Sequence, residues 1–201
     1  MLDVFAIYSG MTVLASGTPP VLWPNSSFPA SGPSAEFLAS NSAQRVLNAI
    51  AVTRYQKVVP AAPYVGGDGK IYNVQAVALS AQELSDKLAA YKTARSGDVD
   101  QAKKNQIDAY MGGIDRARNL GKVLQTLKAR LFAQTSALPI TWANGQLPIW
   151  TATKAVLDWF DDMKTVADNA NASIAAITTG TANCLDAVDA IVSGISWPAA
   201  P

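Results

Sequence analysis

Apolar residues alternate in the first part of the chain and step by threes and fours in the rest. Val4 to Tyr8 and Met11 to Ala15 are two short β-branched and aromatic runs around Ser9-Gly10, a pattern that predicts a hairpin. Residues 16–33 hold five of the eleven prolines among Ser and Gly, which predicts an extended surface arm without regular helix or central strand. Phe37, Leu38, Val46, Leu47 and Ile50 then recur at near-helical spacing, so a short amphipathic helix is expected over about 41–50, followed by a strand from Val52 to Val59. Asp68-Gly69 separates Ala62-Tyr64-Val65 from Ile71-Tyr72-Val74-Ala76. It is the strongest hairpin signal in the sequence.

At Ser80 the period changes from two to about three and a half. Ser80-Ala81-Gln82-Glu83 has the form of a capping box, whose hydroxyl and carboxylate satisfy the orphan amides of a new helix. That helix is expected to reach about Ser96-Gly97, with Leu84, Leu88 and Tyr91 on one face. Ile107, Tyr110, Ile114, Ala117, Leu120, Leu124, Leu127 and Leu131 continue in heptad steps, interrupted by Gly112, Gly113 and Gly121. Ile140-Thr141-Trp142 and Leu147 to Trp150 flank Asn144-Gly145 and predict a second hairpin at about 139–150, with Pro148 confining it to an edge. From Thr151, taken as a cap, Val156 to Ile195 keep a heptad step for about forty residues; at 1.5 Å per residue this is a rod on the order of 60 Å. Thr178-Thr179-Gly180-Thr181 is the expected bend. The fold expected is α+β, mostly α: a β-hairpin-rich head over 1–79 with its proline-rich arm, and a long antiparallel helical hairpin or coiled-coil stalk over 80–201.

Charge adds to this picture once it is divided by segment. The net charge is +1, but residues 1–79 carry 3 acids against 4 bases, 80–136 carry 6 against 10, and 151–201 carry 6 against 2. A basic and an acidic helical region are suited to lie antiparallel. The near-zero total gives no reason to expect nucleic acid or an anionic membrane as partner. No stretch is long and apolar enough for a spanning helix, and Met1-Leu2-Asp3-Val4 lacks the basic start of a signal peptide, so a chain made in a cytoplasm is expected.

With no His and one Cys, histidine-based triads and dyads, His metal sites and disulfides within the chain are excluded. Among what remains, Asp158, Asp161 and Asp162 could face one space as an acid and base pair, or form a solvated face that complements the helix N-terminus. Asp98 and Asp100 open like a calcium loop, but Ala102 and Lys104 stand where further oxygen ligands are needed, so a helix cap is the better reading. Gly66-Gly67-Asp68-Gly69-Lys70 lacks the following Ser or Thr and helix of a phosphate loop and reads as a turn. Lys103, Lys104, Arg116, Arg118, Lys122, Lys128 and Arg130 make a basic face, interrupted by Asp108 and Asp115 and balanced by the acidic helix. Cys184 falls on an apolar heptad face and reads as a small hydrophobe. No cofactor and no metal site is expected, and the chain is not expected to be an enzyme.

Two stretches carry a resemblance. Tyr64-Val65-Gly66-Gly67-Asp68-Gly69-Lys70-Ile71-Tyr72-Asn73-Val74, with Leu79 to Leu84 close behind, resembles the extended hairpin and capped helix of bacteriophage tail-fibre and fibre-assembly proteins. Ile140 to Gly145 and onward to Leu157 is similar to the hairpin and helix at the C-terminal end of that group. The resemblance covers about a quarter of the chain. It implies a non-enzymatic structural component of the virion tail, at the baseplate or fibre attachment, whose partners are other tail or fibre proteins and further copies of itself, as a homo-oligomer expected to be a trimer. A fibre-assembly chaperone and a carbohydrate-binding module using Trp142 and Trp150 are the alternatives. The interface residues expected are Trp142, Trp150, Trp159, Phe160, Met163, Ile174, Ile177, Leu185, Val188 and Ile191.

Overall fold

The computed structural model describes residues 3–112, 122, 125–126 and 146–201, with side chains from Lys154 onward in the last stretch. It divides into two compact units, Met1–Leu84 and Ser85–Pro201. The first is built on a five-stranded mixed sheet of β1 (Phe5–Ser9), β2 (Thr12–Gly17), β3 (Ala43–Leu47), β4 (Gln56–Val65) and β5 (Ile71–Ala78). Their spatial order is β2-β1-β3-β5-β4, and β2 approaches β4 so that the sheet nearly closes into a barrel.

Both predicted N-terminal hairpins form. Gly10 takes a left-handed φ of 57° at the first turn. In the second, the Gly66 N–H donates to the Lys70 carbonyl (2.7 Å), the Gly69 N–H donates to the Gly66 carbonyl (2.9 Å), and Gly69 has φ 77°. Gly66 is required for a different reason: a Cβ there would lie 2.8 Å from Cε2 of Tyr72. The helix expected over 41–50 is absent. A one-and-a-half-turn helix, α2 (Ala35–Ser40), capped by the Ser34 hydroxyl, ends before β3, which pairs antiparallel with β1 and parallel with β5. Val46 and Leu47 belong to this strand, where Val46 joins Ala6, Val65 and Ile71 in one core. Residues 52–55, expected to begin a strand, precede β4 instead.

The proline-rich stretch is not an extended arm. It contains a one-turn helix, α1 (Pro19–Leu22), and buries Trp23 with Phe5 and Ala43 in a second core, against which Phe28 and Phe37 pack. Trp23 meets Phe5, Phe28 and Phe37 edge-on, at centroid distances of 6.3, 5.8 and 5.2 Å. Prolines prevent long regular structure here, but the aromatic residues between them still gain by leaving water.

The capping box forms as expected: the Ser80 N–H donates to Glu83 Oε2 (2.8 Å) and the Glu83 N–H to Ser80 Oγ (3.2 Å). The helix it opens, α3 (Ala81–Met111), runs unbroken through Ser96-Gly97 and stops at Gly112, whose φ is 71° and whose N–H donates to the Asp108 carbonyl. Two further helices follow, α4 (Gln146–Ala176) and α5 (Cys184–Ser193). The heptad positions Ile114 to Leu131, the basic residues Arg116, Arg118, Lys128 and Arg130, and the run 139–145 lie outside the described residues. Residues 147–150, expected as a strand, are helical and open α4, so Thr151 lies within that helix and not at its start.

The expected architecture is therefore overturned: the described residues contain five helices and a mixed, nearly closed sheet, and no long helical hairpin stalk. The forty-residue rod fails where α4 ends at Ala176. The chain turns through Ile177–Asn183, with the Thr181 N–H donating to the Thr178 carbonyl and Asn183 left-handed at φ 47°, and α5 packs back on α4. Leu88 and Val99 of α3, Met163 and Ile174 of α4, and Leu185 and Val188 of α5 are buried.

Candidate interaction surfaces

The ten residues expected at an interface divide according to their burial. Trp159, Met163, Ile174, Leu185 and Val188 are buried in the helical unit, while Phe160, Ile177 and Ile191 are partly covered. The indole N–H of Trp159 donates to the Pro198 carbonyl (3.1 Å), and its ring lies 4.9 Å from that of Tyr110 and 5.3 Å from that of Phe160. Trp142 lies outside the described residues, and Trp150 is placed only as part of the backbone of α4.

Charged residues of this unit form one bridge between helices and several pairs within single helices. The Tyr91 hydroxyl donates to Asp189 Oδ1 (2.5 Å), and Arg95 reaches the same oxygen at 2.8 Å while also pairing with Asp98 at 2.9 Å. Its guanidinium sits 5.1 Å from the Tyr91 ring centroid. Hydrogen bonds to Asp98 and then Tyr91, together with the Asp189 charge, raise the Arg95 pKa further. Asp100 pairs with Lys103 on its own helix, as a solvated helical pair does, and Asp158 pairs with Lys154. Asp161 and Asp162 are exposed. Among the described residues, no group of three or more acidic or Cys side chains is placed to hold a metal ion. None of the described helices is long and apolar enough to cross a membrane.

The sheet unit carries the most exposed large apolar residues among those described. Ile7 pairs with Ala15 and Tyr8 with Val13, so Leu14 is the extra residue of a β-bulge. A bulge turns a side chain away from its expected face. Leu14 is 64% exposed, Met11 at the hairpin tip 68%, and Val21, beside Gly17, 70%. The sequence pattern placed Met11 and Leu14 in a strand but held no sign of the bulge.

A groove of about 440 Å³ opens between α2 and β3. Leu38, Ala39, Ala43 and Leu47 supply its apolar wall, and Arg45 and Lys70 its charge. Tyr8 and Gln44 also line it, with the Gln44 amide donating to the Tyr8 hydroxyl (2.8 Å). Arg45 forms an ion pair with Asp3, and Lys70 lies 3.5 Å from Asp68. Asp68 is held below the usual carboxylate range, first by the Tyr72 hydroxyl (2.8 Å) and then by the Lys70 N–H, and the Tyr72 pKa rises in return. No signal in the sequence marked this groove, because the pairing of β3 with β5 that builds it is long-range and parallel.

Comparison with known proteins found no match among family models, curated proteins or solved structures.

Proposed function

We propose that this chain is a non-enzymatic structural component of a bacteriophage tail, at the baseplate or a fibre attachment, and that it docks through its N-terminal sheet unit. The observation that carries the reading is the outward display of Met11, Leu14 and Val21 on a unit whose two cores are otherwise closed. Met11 and Leu14 on one hairpin and Val21 on α1 are each more than 60% exposed, and large apolar side chains left in water favour a surface that meets another protein. The resemblance of Tyr64 to Leu84 to tail-fibre and fibre-assembly proteins supplies the setting.

Mass spectrometry of purified particles tests it. Stoichiometric presence of the chain supports the reading. Its absence from particles overturns it, and detection only in unassembled tail precursors assigns the chain to a chaperone instead. Leu14→Asp gives a second handle. Because Leu14 is solvent-facing, stability should stay within about 0.5 kcal/mol of the parent, while fewer copies enter particles.

A further inference from the structure

The β3 and β5 pairing brings two cations together. Val46 pairs with Ile71 and Leu47 with Tyr72, in parallel, so Arg45 and Lys70 stand one position earlier on neighbouring segments. Like charges facing each other across a sheet repel. Each has a carboxylate nearby, Asp3 for Arg45 and Asp68 for Lys70, but neither carboxylate lines the groove. Asp68 is also engaged by the Tyr72 hydroxyl and the Lys70 N–H. Arg45 has five N–H donors and Lys70 three, more than these partners use. The Tyr8 hydroxyl, which accepts from Gln44, keeps its own proton to donate.

We propose that the groove between α2 and β3 binds an acidic peptide segment of a partner protein, with an aliphatic side chain against Leu38, Ala39 and Leu47 and an adjacent carboxylate at Arg45 and Lys70. The proposal rests on the reading of the chain as a docking component and names one of its contact surfaces. Charge complementarity selects the occupant. Two cations beside an apolar wall suit one carboxylate next to one aliphatic group, and they are too short a row to follow a nucleic-acid backbone.

The test is a titration of the ¹⁵N-labelled full chain, followed by NMR, with the probe peptide acetyl-Leu-Asp-Leu-amide, its Leu-Asn-Leu counterpart, and hexanoate. The Asp peptide should shift the amides of Ala39, Ala43 and Leu47. The Asn peptide should bind at least about tenfold more weakly, since charge-assisted hydrogen bonds are lost. The double variant Arg45→Gln, Lys70→Gln should lose the same factor while keeping a folded spectrum, because the two ion pairs it removes, with Asp3 and Asp68, are exposed and contribute little to stability. Equal binding of the Asn peptide, shifts confined to other residues, no shift at millimolar peptide, or hexanoate binding as tightly as the peptide would each overturn the proposal. Carboxylate-dependent binding by a chain absent from particles supports the groove and removes the tail reading alone. A chain present in particles whose groove ignores the peptide does the reverse.

Discussion

Glu83 joins two structural tasks in one side chain. Its carboxylate accepts the Ser80 N–H at the start of α3 and forms an ion pair with Lys57 of β4. The Lys57 bond, followed by the Ser80 amide and hydroxyl, lowers its pKa from 4.5 to about 2. A depressed carboxylate pKa contributes stability that is complete above the unfolded value and lost as pH falls through the folded one. The stability difference between the parent and Glu83→Gln should therefore be full above about pH 4.5 and vanish near pH 2, as urea denaturation at a series of pH values will show. Ser80→Ala removes the other half of the box and should cost about 1 kcal/mol. Trp23→Ala has a larger effect for a different reason. It empties the centre of the Phe5, Phe28 and Phe37 cluster and should destabilise the sheet unit by about 3–5 kcal/mol in the same measurement.

At the level of elements, features fixed by a few neighbouring residues could be read in advance and those fixed by distant partners could not. The Ser9-Gly10 and Asp68-Gly69 turns, the capping box and the break near Thr178–Thr181 depend on local backbone chemistry and were legible. The strand Ala43–Leu47 was not, since the spacing of Val46, Leu47 and Ile50 fits a helix face as well as a strand covered by β1 and β5. The arm was misread because proline density reports backbone freedom, whereas the burial of Trp23 depends on Phe5 and Phe37, far along the chain. The break before α5 allows a sharper check. Asn183 is left-handed and makes no side-chain cap bond. Asn183→Gly should be tolerated within about 1 kcal/mol, while Asn183→Val, β-branched at φ 47°, should cost about 1–2 kcal/mol in thermal unfolding.

Over the whole molecule, the summed charge of +1 concealed a division that the helical unit uses. Arg95 from the basic region pairs with Asp189 of the acidic one, and Lys103 helps hold Asp168 ionised after its own partner Lys164. The Arg95–Asp189 bridge follows that division of charge, although the antiparallel stalk expected from it does not form among the described residues, and the groove at Arg45 and Lys70 was not legible, because each is an isolated cation in the sequence. The lone thiol has a use of its own. Cys184 is 2% exposed in the first turn of α5, and the sequence has no other cysteine. A soluble thiol reagent can reach it only when the helical unit opens, so the labelling rate is a clock for that opening. Leu185→Ala, emptying a buried site beside it, should speed labelling by at least about tenfold, whereas Leu14→Asp should leave the rate unchanged. One atom of sulfur thereby lets the opening of the helical unit be timed without adding a probe.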